Sequence, residues 1–267
     1  MKTVLQWVLA VGIGSLMIAS ATAEVQSRQV RYQHEGADLE GYLAWDDRFD
    51  GKRPGVLVVH EWWGLNDYAR SRVRQLAAQG YVAFALDMYG SGKVTSHPDQ
   101  ASTWMKEIQK NTAQWVSRAD AGLSVLRKQE RVDPQRLAAI GYCFGGATVM
   151  QMAYAGLDVD FVASFHGALP VADDSQVQAV RARILVAHGN ADPFVPTAQV
   201  QAFRDALEKS GARWTMMEFG GVKHSFTNPS AAEYGLDALD YDADADRQSW
   251  QMLLWLLQDT FEDHPSD

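Results

Sequence analysis

The stretch Arg136-Leu137-Ala138-Ala139-Ile140-Gly141-Tyr142-Cys143-Phe144-Gly145-Gly146 decides how the chain is read. Residues 136–140 are an apolar run of strand length, and residues 147–154 continue as an apolar helix-forming segment. A strand, a glycine-flanked central residue and a helix are the context of a nucleophile elbow. Such a turn is sharp and strained. Small residues at 141 and 145 let it close, and Gly146 lets the helix pack closely on the sheet. The central residue is Cys143, the only cysteine in the chain. A free cysteine is also at home as a small buried apolar residue, and the elbow alone leaves both readings open.

Working outward, the 267 residues, 47% apolar and 21% charged, suit one large α/β domain with a substantial core. The net charge of -9 and the lack of a basic cluster interleaved with aromatics point away from nucleic acid and anionic membranes as partners. The first 23 residues have the layout of a secretory signal: Lys2, a mostly apolar run over 4–19, and the small residues Ala21-Thr22-Ala23. The run is shorter than the roughly 20 residues a membrane span needs, and Gly12, Gly14 and Ser15 interrupt it. The expectation is a signal over 1–23, a single domain over 24–267, no stable membrane insertion after cleavage, and a secreted destination in the bacterial periplasm. One cysteine allows no internal disulfide. A lone thiol in an oxidising compartment is open to sulfenic acid and mixed-disulfide formation, which weighs against an ornamental Cys143.

The remaining elements alternate. Residues 24–33 and 39–45 suggest a hairpin turning at Glu35-Gly36. The unbroken apolar run 55–60 reads as a strand covered on both faces, 81–86 as the next buried strand, and 161–165 and 184–189 as further strands. Asp67 is the expected cap of a helix closing at Gln79-Gly80. One or two helices span about 100–128 until Asp133-Pro134 breaks them. Thr197 caps a helix ending at Ser210-Gly211, residues 214–219 alternate as a strand, and an amphipathic helix starts near Asp246. Strands alternating with helices imply an α/β fold with a mostly parallel central sheet and helices on both faces, the α/β-hydrolase arrangement being the expectation.

Each candidate chemical group follows a predicted strand, at the edge where open α/β sheets build their sites. Their order is Cys143, Asp192, His224: nucleophile, acid, base, as in α/β-hydrolases. Only a few per cent of an ordinary thiol is thiolate at pH 7. An imidazole takes its proton and later returns one to the leaving group, and a carboxylate fixes the imidazole's tautomer. The Phe144 amide supplies one donor for a developing oxyanion, and the turn at Glu61-Trp62 is positioned for the second. Asp192 also fits a plain turn former before Pro193, and His224 a surface histidine. His60, His166 and His188 read as structural histidines beneath the site. Glu61, beside Trp62 and Trp63, is a carboxyl whose pKa should rise. His60-Glu61 lacks the second histidine of a zinc motif. Residues 242–246 resemble half a calcium loop but lack its glycine and closing glutamate, and read instead as an acidic helix start. No metal or cofactor is expected.

On His60-Glu61-Trp62-Trp63-Gly64-Leu65-Asn66, Asp87-Met88-Tyr89-Gly90, the elbow around Cys143, His188-Gly189-Asn190-Ala191-Asp192 and His224-Ser225-Phe226, the chain resembles the dienelactone hydrolase family of α/β-hydrolases. The resemblance implies Cys143 as nucleophile, His224 as base, Asp192 as its orienting acid, and backbone donors at Trp62 and Phe144. It further implies that Glu61 contacts the resting thiol and helps deprotonate it when substrate enters. Members that act on the anionic dienelactone hold its carboxylate with arginines, one of them four residues past the catalytic histidine. Asn228 stands there in this chain, with Lys93 and Lys223 as partial substitutes lacking a bidentate fork. The pocket rim is expected to be aromatic, from Trp62, Trp63, Tyr89, Phe144, Phe194 and Phe226. The resulting expectation is an exported hydrolase of small-molecule carboxylic esters or lactones, acting through an acyl-cysteine. The alternative is a non-catalytic periplasmic binding or scaffolding protein on the same fold. Oligomeric state is not legible in the sequence.

Overall fold

A computed structural model describes residues 25–262; the expected signal over 1–23 lies outside them. Eight strands form one sheet in the order β1-β2-β4-β3-β5-β6-β7-β8. The hairpin β1 (Val25–His34) and β2 (Ala37–Asp46) pairs antiparallel and turns at Glu35-Gly36, both at positive φ. β2 joins β4 (Val82–Leu86) antiparallel. From there β3 (Arg53–Val59), β5 (Val132–Tyr142), β6 (Phe161–Phe165), β7 (Arg183–Gly189) and β8 (Trp214–Phe219) run parallel. Crossover helices cover both faces: α1 (Asp67–Ala78), α2 (Pro98–Gln109), α3 (Thr112–Arg127), α4 (Phe144–Tyr154), α5 (Asp174–Ala179), α6 (Thr197–Ser210) and α7 (Ala243–Glu262). Two apolar cores result. One side packs Leu57, Phe84, Leu123, Val149 and Phe203; the other packs Val58, Leu76, Ile140, Phe165 and Leu257. Strands covered on both faces are largely apolar: β4 and β6 are buried at every residue, and Ser164 of β6 is the one polar side chain in the two.

Several local expectations shift. The first helix is capped by Asn66, whose Oδ1 accepts from the Ala69 amide at 3.3 Å, with Asp67 as its first residue. Pro196, not Thr197, precedes α6. Asp133-Pro134 lies inside β5, where the pairing with β3 slips between Pro54 and Gly55 and absorbs the proline. The acidic run 242–246 opens α7: Asp242 accepts from the Asp244 and Ala245 amides, and Asp244 and Asp246 sit in the first turn. Among the described residues no helix is long and apolar enough to cross a membrane.

Candidate active site

The parallel strands end together, and the loops leaving β3, β5, β6 and β7 meet the segment that follows β8. At the end of β5 the chain reverses into α4 through Cys143, held at φ 55°, ψ -114°. A non-glycine residue there costs about 1–3 kcal/mol, which the surrounding packing must over-determine. It does so by close approach: a methyl group on Gly141 would come 2.0 Å from the Gly145 carbonyl oxygen, and one on Gly145 would come 2.2 Å from that of Val59. The elbow therefore sits directly against the end of β3. The Cys143 amide donates to the Phe165 carbonyl at 3.0 Å and to His166 Nδ1 at 3.1 Å. Cys143 is half-buried, with Phe144 as the first residue of α4. Amides at such a helix start have no intrahelical partner and favour negative charge.

Asp192 and His224 arrive from separate loops. Asp192, buried after β7, accepts from the Phe194 amide at 2.9 Å on Oδ1 and from His224 Nδ1 at 2.6 Å on Oδ2. The His224 backbone is sewn to the stretch before α7 by its own amide on the Ala238 carbonyl and by the Asp240 amide on its carbonyl. Burial pushes the His224 imidazole down. The negative charge of Cys143, the Asp192 hydrogen bond and a hydrogen bond with the Cys143 side chain outweigh it, and the value rises to about 10. Cys143, His224 and Asp192 are thus brought together although Cys143 and His224 lie 81 positions apart in sequence.

Glu61 is buried beside them. Its Oε1 accepts from Ser225 Oγ and its Oε2 from Asn228 Nδ2, both at 2.7 Å. Burial raises its pKa, partly offset by these two bonds and by His224. Both oxygens are engaged by the histidine loop, so the resting contact with the thiol that the resemblance implies is not the contact these bonds make. Asn228 has a positive role as well: it is a buried brace for Glu61 rather than merely the place of a missing arginine.

The other side chains of this loop are equally committed. Thr227 Oγ1 meets His166 Nε2 at 2.7 Å and the Tyr68 hydroxyl at 2.6 Å, while Arg72 donates to the Thr227 carbonyl, to Tyr68 and to Asp246. Because the Cys143 amide can only donate, His166 Nδ1 is the acceptor and Nε2–H the donor. Burial and the nearby His224 and Arg72 charges hold this imidazole neutral. His60 is the mirror case: Nδ1 donates to the Glu61 carbonyl at 2.5 Å and Nε2 accepts from the Met88 amide at 3.2 Å, and burial lowers its pKa. His188 is buried like these two, but its Nδ1 has no partner among the described residues.

The aromatic rim is smaller than expected. Trp63 is fully buried and stacks on Tyr234 at 3.9 Å; Phe226 is fully buried between His166 and Phe219. Both belong to the core that supports the site, because the backbone at these positions turns their side chains inward. Phe194 stays at the mouth, 51% exposed, with its edge on His224. Trp62 is half-buried. Tyr89 packs on Phe144 and His60; burial, Cys143 and Asp87 push its phenol up. Tyr89 also lines a cavity of about 330 Å³ with Trp104, Trp115, Lys93 and Arg118. Lys223 is half-buried beside His224. Among the described residues no group of three or more His, Cys, Asp or Glu is arranged to hold a metal ion.

These features have close counterparts. The dienelactone hydrolase family profile matches residues 39–261, so the chain belongs to the dienelactone hydrolase family, a family of α/β-hydrolases. Protein usf of Aquifex pyrophilus is 29% identical over 207 residues, covering 75% of this chain and 87% of that protein. The crystal structure of a dienelactone hydrolase-like promiscuous phosphotriesterase from metagenomic libraries superposes with a TM-score of 0.86 at 34% identity, covering 89% of this chain and 99% of that one. The structure of a protein named m3DLH gives 0.85 at 35% identity, covering 88% and 98%.

Proposed function

We propose that the protein is an exported thiol-dependent hydrolase of small carboxylic esters or lactones. The observation that carries this reading is the strained Cys143 at the head of α4, bonded to a His224 ring that Asp192 holds at 2.6 Å. The proton shared by Cys143 and His224 stays on the ring, whose pKa is raised to about 10, and the sulfur attacks the carbonyl carbon. The carbonyl π pair moves onto oxygen, where the Trp62 and Phe144 amides receive it. Collapse expels the alkoxide, which leaves as an alcohol with the proton from His224. Water, deprotonated by the same ring, then cleaves the thioester and regenerates the thiol. Glu61, its pKa raised by burial, is held by Ser225 and Asn228 and places a carboxyl group close to the His224 ring.

With Asn228 occupied by Glu61 and no arginine in its place, neutral esters are the preferred substrates over the anionic dienelactone. The test is a steady-state panel of neutral aryl esters, lactones, one carboxylate-bearing lactone and one aryl phosphotriester. Turnover of neutral esters that iodoacetamide abolishes is expected; no turnover of any ester or lactone contradicts the reading. Export rests on residues 1–23. Its check is the N-terminus of protein recovered from periplasmic extract, expected at Glu24.

A further inference from the structure

The reading above assigns the oxyanion to the Trp62 and Phe144 amides and leaves open what aims them. Phe144 is aimed by the start of α4. Trp62 lies in an irregular turn, where a peptide plane is free to rotate unless something holds it. We infer that His60 is the positioning residue for oxyanion stabilisation: it fixes the Glu61–Trp62 peptide so that the Trp62 N–H faces the space above Cys143. This rests on the hydrolase reading and deepens it.

In a trans peptide the carbonyl of one residue and the N–H of the next are antiparallel and share one plane. Holding the Glu61 carbonyl therefore aims the Trp62 N–H the opposite way. That carbonyl accepts from His60 Nδ1 at 2.5 Å and from the Gly64 amide at 3.3 Å. The ring itself cannot swing, because Nε2 accepts from the Met88 amide at 3.2 Å and the ring packs on Tyr89 at 5.0 Å. Met88 N–H has only a proton to offer, so Nε2 must be bare and the proton must sit on Nδ1. A protonated ring would set N–H against N–H. The tautomer is thus dictated, and it is the one that donates to Glu61. A methyl group on Gly145 would come 2.8 Å from the His60 carbonyl oxygen, so the end of β3 and the start of α4 flank one space. The donation also polarises the peptide, which strengthens its N–H as a donor.

The experiment separates oxyanion stabilisation from thiol reactivity. Alkylation of Cys143 by iodoacetamide needs the thiolate but forms no oxyanion. Ester turnover needs both, as does an aldehyde such as phenylacetaldehyde, whose carbonyl carbon bonds to sulfur while its oxygen takes the charge or proton. In His60→Phe, kcat on a neutral aryl ester should fall about 10- to 100-fold with KM within about 3-fold. Aldehyde affinity should fall with it, and the alkylation rate should stay within about 3-fold of wild type. His60→Gln, whose amide offers one donor and one acceptor, should recover most of kcat. If His60→Phe does not fold, His60→Asn, too short to reach both partners, should show the same split. An unchanged kcat, or alkylation falling in parallel with kcat, overturns the inference. Wild-type protein that turns over no ester fails the hydrolase reading instead, so the two failures are distinct.

Discussion

His166 and His224 stand 5.1 Å apart between ring centres, both buried, yet they hold their protons in opposite ways. His166 faces an amide proton and a hydroxyl, and burial with neighbouring positive charge keeps it neutral. His224 faces the Asp192 carboxylate and the Cys143 sulfur, whose negative charge and hydrogen bonds override burial. Desolvation acts on both rings; the charge of the partner decides the outcome. In the proposed mechanism the charge-partnered ring is the one that moves protons, and the polar-partnered ring holds the site in place.

Four outcomes would sharpen or break this contrast. Asp192→Asn removes the charge that distinguishes the rings. It should cost kcat about 10³- to 10⁴-fold and lower the pKa of His224, whereas a loss under tenfold would erase the distinction. On the other side, Arg72→Met strips the support behind Thr227 and leaves the half-buried Asp246 with Tyr241 alone. Urea unfolding should lose about 2–3 kcal/mol, since the buried guanidinium's acceptors lose their charged donor. His166→Leu removes two hydrogen bonds but leaves the Cys143 amide its bond to Phe165 and Thr227 its bond to Tyr68. Stability should fall by about 1–3 kcal/mol, with a kcat loss well below that of Asp192→Asn and an unshifted pH–rate profile. The smallest effect is read by ring NMR. His224 should titrate near 10, while His60 and His166 stay neutral at pH values below 6.5. The signs follow: the two depressed histidines contribute stability above about 6.5 that is lost as pH falls toward their folded values, because the unfolded chain then binds more protons. His224 contributes in the opposite sense, with stability present below about 6.5 and lost as pH rises through about 10.

The strands were the most legible part of the sequence. A strand buried on both faces needs a mostly apolar run, and β3, β4, β6 and β7 each carry one, that of β6 broken only by Ser164. The helix α5 escaped notice because only Val177 of its six residues is buried, so it has no apolar period; its signal was the capping box of Asp173 with Gln176. The order Cys143, Asp192, His224 was readable because each follows a strand. Side-chain direction was not. Trp62 and Trp63 look alike as a pair, but the turn leaves one half-exposed and buries the other against Tyr234, 171 positions on. Asn228 read as a missing arginine because its brace on Glu61 spans 167 residues and leaves no local trace. The bond from His166 to Thr227, 61 residues away, was hidden for the same reason.

In the proposed mechanism acyl transfer passes through the Cys143 sulfur. Mixing the enzyme with an activated aryl ester, quenching in acid within milliseconds and weighing the intact protein tests it most directly. One acyl group per chain, mapped to the peptide containing Cys143 and lost in Cys143→Ala together with turnover, is the predicted result. An adduct on another residue, or undiminished turnover by Cys143→Ala, would contradict it.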